Sequence, residues 1–463
     1  MAYRVEKDFL GEKQVPADVY YGVQTMRGLE NFHITGMPMS REPYFVKAFG
    51  YVKKAAAMAN RDLGVLDKKI AEAIIKACDR VIAGDMNDQF VTDFIQGGAG
   101  TSTNMNANEV IANLALESLG HKKGEYQHVN PNDHVNFGQS TNDVYPTAFH
   151  LGLILRLESY MTALRKLQEA FYAKAQEFNR VLKMGRTHLQ DAVPMTMGAE
   201  FHGWGTTIGE EVNRIAEVRQ LLHHVNLGAT AIGTTVTAAP GYPPLAVKHL
   251  SDITGIKFTL AEDLIEATSD TGDYVLLSGV LKHTSAKLTK ICNDIRMLAS
   301  GPRCGFAELQ LPEKQPGSSI MPGKVNPVVP ESVCQVAARV IGNDAAITIG
   351  GQSGLLELNV MMPMMADALL ESIRLLANVT RLLATRCVAG IEARPERCRE
   401  LVERSLALAT ALVPRIGYDA AAKISQAAHR ENKTLREIAL RESGLSAAEL
   451  DTLLEPEQML KPR

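Results

Sequence analysis

The sequence predicts an all-α protein organised around a bundle of long helices. Three observations carry that expectation: five long runs with apolar residues at helical spacing, short polar breaks between them, and almost no segment that alternates with a period of two. At 463 residues the chain exceeds one ordinary domain and can bury a large core. Its formal net charge of −3 is dispersed, which gives no basic footprint for nucleic acid. No apolar run reaches the ~18 residues that a membrane span needs. Six cysteines without Cys-x-x-Cys pairing, and no recognisable signal peptide, fit a reduced cytoplasm. Together these features favour a small-molecule role.

Residues 1–140 are expected to form an N-terminal domain, mixed but mainly helical. Tyr3–Asp8 and Val15–Gly22 read as irregular or short extended structure, followed by helices at about 41–62 and 67–83. In Gly97-Gly98-Ala99-Gly100-Thr101-Ser102-Thr103-Asn104, glycines and then hydroxyls and amides precede the apolar-periodic Val110, Ile111 and Leu114. This reads as a polar loop feeding a helix start, serving as a cap, a ligand site or both. Gln139-Ser140-Thr141-Asn142-Asp143 repeats the chemistry, with Pro146 placed to begin a long helix. That helix, about 146–179, carries Ile154, Leu157, Met161, Leu164 and Phe171 and would extend ~50 Å at 1.5 Å per residue.

Gly185-Arg186-Thr187-His188-Leu189-Gln190-Asp191 then interrupts the helical signal, and a second long helix starts near Pro194 and runs through Ile208, Ile215 and Leu222. A third run spans Leu277 to Leu298, a fourth starts at Pro330, and a fifth covers about 363–388, so the central bundle domain is assigned to 141–392. The stretch Met364 to Leu376 is apolar on more than one face, which asks for partner helices from other subunits. Its methionines are adaptable core. After Glu392 an Arg/Glu-rich stretch opens a small C-terminal helical domain, 393–463.

Gly317-Ser318-Ser319-Ile320-Met321-Pro322-Gly323-Lys324-Val325-Asn326-Pro327 suits neither a helix interior nor a central strand. Its glycines let successive N–H groups converge as an anion-binding nest, Lys324 adds a charge and Asn326 a neutral donor. Residue chemistry alone leaves two readings: a carboxylate or phosphate site with a hydroxyl inside it, or a tight Gly/Pro connection with an incidental lysine. The breaks at 100–104, 139–143, 186–191 and 317–326 share an abundance of hydroxyl and amide donors, which a small dicarboxylate would need.

The string 317–327 resembles the signature loop of the fumarase/aspartase superfamily, and the likeness extends over essentially the whole chain. Within that superfamily the aspartase family is most similar, on Gln139-Ser140-Thr141-Asn142-Asp143-Val144-Tyr145-Pro146, Lys183-Met184-Gly185-Arg186 and Val328-Val329-Pro330-Glu331. The resemblance implies a three-domain all-α subunit whose central five-helix bundle assembles as a homotetramer, with each site built from three subunits. It implies reversible deamination of L-aspartate to fumarate and ammonia through an aci-carboxylate intermediate. In that scheme Ser318 is the base that takes the Cβ proton and His188 is the second catalytic residue. Lys324 and Asn326 hold the α-carboxylate. Thr101, Ser140, Thr141 and Ser319 grip the β-carboxylate, while Asn142, Thr187 and His188 surround the amino group and α-carboxylate, and Met321 lies in the substrate-binding loop. Outside that motif, a lone histidine such as His188 is more often a structural hydrogen-bonder.

No obligatory cofactor is implied, although some family members are activated by magnesium. The sequence shows no zinc spacing, no Gly-x-Gly-x-x-Gly after a strand and no P-loop. Two departures stand out: Gly233-Thr234-Thr235-Val236-Thr237 where the family carries Gly-Thr-Gly-Leu-Asn, and Met362 where it usually carries a charge. The competing readings are a class II fumarate hydratase, a lyase acting on an aspartate analogue, and a recruited non-catalytic structural relative.

Overall fold

In the computed structural model, which describes residues 2–455, 457 and 460, helices dominate and strands occur as four short two-stranded pairs. The chain divides into two units. The first comprises Met1–Met161, Asn213–Ser285 and Ala337–Ala377; the second comprises Thr162–Val212, Ala286–Val336 and Asn378–Arg463.

The first unit opens with an antiparallel pair, β1 (Tyr3–Asp8) and β2 (Gly11–Pro16). Arg27 of α1 (Val23–Asn31) forks onto both Asp8 oxygens at 2.7 and 2.8 Å, which fixes the hairpin and holds that carboxyl below its ordinary range. α2 (Pro43–Asp62) starts on a proline, whose missing N–H is harmless in a first turn. α3 (Lys68–Ala83) is capped by the Asp67 side chain and ended by Gly84 at φ 93°.

α4 (Thr101–Ser118) and α5 (Thr141–Glu177) bring both polar breaks of this unit to helix N-termini. α5 begins at Thr141, not at Pro146 as the sequence suggests. Pro146 offers no N–H to the Asn142 carbonyl, and Asn226 Nδ2 supplies the missing donor at 3.1 Å, so the proline is tolerated inside the helix.

Phe45 and Phe49 of α2 meet Tyr145 and Phe149 of α5, all four fully buried, with ring centroids 5.3 to 5.9 Å apart. Burying each ring is worth about 1.5–3 kcal/mol, and this cluster clamps the first turns of α5 onto α2. The unit is completed by α7 (Tyr242–Thr254), α8 (Glu266–Ser269) and parts of α9 (Gly272–Leu298), α10 (Val328–Gly351) and α11 (Met362–Leu382). Asn343 of α10 donates to Ser372 and Glu371 of α11, both at 3.0 Å. Leu276, Ile341 and Ile349 of α9 and α10 stay exposed.

In the second unit Phe171 and Phe178 of α5 pack against Phe201 and Trp204 of α6 (Met197–Arg219), at centroid distances of 5.2 to 6.2 Å. The polar break between these helices is a hairpin, β3 (Leu182–Thr187) with β4 (Gln190–Thr196). α6 therefore starts at Met197 and not near Pro194, which sits in β4 opposite Met184. Leu182, Lys183, Met184 and Gly185 are all buried, so this strand lacks the alternation by which a sequence announces one.

Met184 joins a core with Val402, Leu412, Ile424, Ile438 and Leu450 from the C-terminal segment. That segment carries α12 (Pro395–Arg404), α13 (Val413–Ile416), α14 (Tyr418–Glu431), α15 (Leu435–Glu442) and α16 (Ala447–Leu453), the last two begun by capping boxes. α11 ends at Leu382, short of the expected 388, where a π turn over Leu383–Cys387 takes over. Among the described residues no helix is long and apolar enough to cross a membrane.

Candidate active site

In the first unit two helix N-termini are joined by amide side chains. Gly98, Ala99 and Gly100 all adopt positive φ, and a Cβ on Gly100 would lie 2.2 Å from the Tyr145 ring, so only glycine lets α4 start there. Thr101 is exposed and turns its hydroxyl back to the Gly98 carbonyl at 2.6 Å. Ser140 caps α5: its Oγ accepts the Asn142 N–H at 3.2 Å, and its own N–H goes to Asp143 at 3.0 Å. Thr141 Oγ1 accepts from Asn104 at 3.1 Å, and Asn142 donates to the Ala231 carbonyl at 2.7 Å.

Beneath these residues lies a cation that the sequence reading passes over. Lys53, fully buried in α2, donates to Asn136 Oδ1 at 2.9 Å and Gln139 Oε1 at 3.0 Å. Asn136 Oδ1 also accepts from Asn104, the residue that holds Thr141, at 3.2 Å. Asp143, equally buried, accepts the N–H groups of Ser140, Gly228 and Thr230 at 3.0, 3.0 and 2.9 Å. Burial pushes Lys53 down to about 7, countered by the Asp143 charge. Burial likewise pushes Asp143 up to about 6, countered by its N–H donors and Lys53.

Lys53→Met leaves Gln139 Oε1 without its donor next to Ser140 and Thr141. Steady-state kinetics should show a rise of about tenfold in KM for the dicarboxylate, with a smaller change in kcat; an unaltered KM would refute a positioning role. The pH dependence has a definite sign. The folded value lies below the ordinary 10.5 of lysine, so the unfolded chain binds the extra proton between about 7 and 10.5. Stability is therefore lost as pH falls through that window, and the slope of melting temperature against pH should flatten in Lys53→Met.

In the second unit Thr187 pairs with Gln190, leaving His188 and Leu189 as a two-residue turn at φ 55° and 61°. Both values belong to a type I′ turn, which normally takes Asn-Gly. Each side chain held there costs roughly 1–2 kcal/mol, and the strain puts His188 in the open at the hairpin tip. Arg186 anchors the hairpin, forking onto buried Glu308 at 2.8 and 3.0 Å with its guanidinium 4.4 Å over the Phe306 ring.

The loop 317–326 is closed by two bonds of 2.7 Å, Gly317 N–H to the Lys324 carbonyl and Asn326 Nδ2 to the Gly317 carbonyl. It ends just before α10. Ser318 Oγ accepts the N–H groups of Ile320 at 3.2 Å and Met321 at 3.0 Å, the converging donors that the glycine-rich sequence leads one to expect. Ser319, Met321 and Lys324 are exposed, whereas Asn326 is half-buried with one amide hydrogen committed to the loop.

Thr101, Ser140, Thr141 and Asn142 belong to the first unit, and Thr187, His188, Ser318, Ser319, Met321, Lys324 and Asn326 to the second. A separate cavity of about 120 Å³ in the first unit is lined by Glu266, Asp270 and Asp273. Burial, and after it the charge of Asp270, raise Glu266 and Asp273.

A family described as Lyase matches residues 11–342, and one described as Fumarase C C-terminus matches 408–461. The chain is 55% identical over 461 residues to an aspartate ammonia-lyase of Pseudomonas aeruginosa, covering 99% of this chain and 97% of the relative. It is 50% identical over 460 residues to an aspartate ammonia-lyase of Escherichia coli, covering 99% and 96%. Among solved structures, a fumarate lyase:delta crystallin from Brucella melitensis bound to cobalt superposes with a TM-score of 0.97 at 50% identity, covering both chains fully. A class II fumarase from Schistosoma mansoni gives 0.94 at 36% identity, again over both whole chains.

Proposed function

The chain belongs to the lyase family that contains the aspartate ammonia-lyases and class II fumarases, and from that premise we propose that it converts L-aspartate reversibly into fumarate and ammonia. It is a carbon–nitrogen lyase acting on a small dicarboxylate. The observation that carries the mechanism is Ser318 Oγ under the N–H groups of Ile320 and Met321. A serine is a weak base at its ordinary pKa; two N–H donors aimed at its oxygen favour the alkoxide.

Ser318 takes the Cβ proton, and the electron pair it leaves moves into the neighbouring carboxylate to give the dianionic aci-carboxylate. Collapse of that intermediate forms the carbon–carbon double bond and expels the amino group as ammonia. The added charge falls on the β-carboxylate oxygens, where Thr101, Ser140, Thr141 and Ser319 donate; losing one such donor can cost about 3 kcal/mol. Lys324 and Asn326 hold the α-carboxylate, with Met321 in the same loop. Asn142, Thr187 and His188 surround the amino group and α-carboxylate, His188 as the second catalytic residue beside a substrate ammonium that leaves as ammonia with its own three protons.

The active form is a cytoplasmic homotetramer of three-domain subunits (1–140, 141–392 and 393–463), each site drawing on three subunits. The exposed Leu276, Ile341 and Ile349 on otherwise packed helices support such contacts. The reaction requires no cofactor, and magnesium acts at most as an activator.

Ultraviolet absorbance of fumarate, with L-aspartate and L-malate supplied separately, tests the assignment. Fumarate should appear from L-aspartate together with ammonia. Fumarate from malate alone would make the protein a hydratase, and silence with both would point to an aspartate analogue or a non-catalytic role.

A further inference from the structure

His121, Glu125 and His128 lie together on the loop that follows α4, at the opposite end of that helix from Thr101. Their ligating atoms, two imidazole nitrogens and one carboxylate oxygen, all fall within 4.8 Å of one another. The imidazoles stack with centroids 3.8 Å apart and planes 9° from parallel, and Glu125 Oε2 is 3.7 Å from His121 Nδ1. The residues are spaced His-x3-Glu-x2-His, a pattern without cysteine that a search for zinc spacings passes over.

The backbone that carries them is braced. Glu125 Oε2 accepts the Lys122 N–H at 3.0 Å, and the Gly124 N–H reaches Asn113 Oδ1 at 2.8 Å. Asn113 also donates to Tyr126 Oη at 3.0 Å, and Tyr126 donates to buried Glu6 at 3.1 Å. The His121 N–H bonds the Leu116 carbonyl and the His128 N–H bonds the Glu125 carbonyl, at 2.9 and 3.0 Å. Three potential ligands are thus presented from a fixed loop, without an ordering cost that would cancel their affinity.

Two imidazoles and one carboxylate suit a borderline cation, whereas magnesium asks for an octahedron of oxygens. Tetrahedral zinc with bonds of ~2.0–2.1 Å sets its ligands roughly 3.3 Å apart, so side-chain rotations of about an ångström close the three around one ion and leave a fourth position for water. We propose that His121, Glu125 and His128 form a zinc-class divalent metal site, one ion per chain, that staples the loop between α4 and α5.

The test is calorimetric titration of ZnCl2 into the chelator-stripped full-length protein, beside His128→Gln and His121→Gln. The unmodified chain should take up one zinc that each variant loses or binds at least about tenfold more weakly. Zinc should also raise the melting temperature of the unmodified protein and not that of the variants. Both side chains sit at the surface of a loop, so metal-free circular dichroism and melting should match among the three proteins. Zinc uptake of equal stoichiometry and affinity in both variants, as ligation elsewhere would give, overturns the site.

Discussion

Replacing Ser318 by alanine is expected to lower turnover of L-aspartate by roughly 10²–10⁴-fold, the range that a positioned proton-transfer group contributes. The loss should fall on kcat, because the carboxylate donors assigned to substrate binding are untouched. Stability should not change. Among the described residues Ser318 Oγ accepts only the N–H groups of Ile320 and Met321, both in an exposed stretch of loop where water can replace it. The loop closure at Gly317, Lys324 and Asn326 uses none of the serine side chain. Initial rates of fumarate formation, with melting temperature as the control for folding, decide the matter. Near-normal turnover in a folded variant would remove Ser318 from the chemistry and reduce its two bonds to an ordinary serine turn.

The long helices were legible because burial of one face imposes a 3.6-residue period that survives in the residue order. The signature loop was legible for the opposite reason, since its glycines and prolines exclude regular structure. Illegible features depend on partners distant in sequence. Pro146 reads as a helix start until Asn226 is found bonding the carbonyl it abandons. β3 escapes notice because it is covered on both faces. Lys53 looks like a solvated lysine of an amphipathic helix until Asn136 and Gln139 close over it. The family departures acquire a physical meaning only in three dimensions. Thr235 and Thr237 stand at φ 57° and 72° where the family pattern has glycine and asparagine, the two residues most tolerant of that region. Met362, in place of a charge, is buried.

Glu308→Ala should be the most destabilising single change near the site, by roughly 3–5 kcal/mol, the cost of stripping one partner from a buried pair. Glu308 is fully buried and both its oxygens are taken by the two terminal nitrogens of Arg186. Alanine would leave that largely buried guanidinium over Phe306 with no direct ionic partner and only the charges of Asp191 and Glu200 nearby. Arg186 adjoins Thr187, and His188 follows at the strained tip of the same hairpin, so loosening this anchor lets the turn relax out of its left-handed geometry. Activity should therefore fall further than the melting temperature alone accounts for, even in assays well below the transition. Glu308→Gln keeps one acceptor for Arg186 and should lie between the two. Chemical denaturation measures the first effect, and kcat at a temperature where all three proteins are folded measures the second. If Glu308→Ala melts with the unmodified protein, the pair is not the anchor. If it melts early yet keeps full kcat when folded, the hairpin holds His188 without help from Arg186.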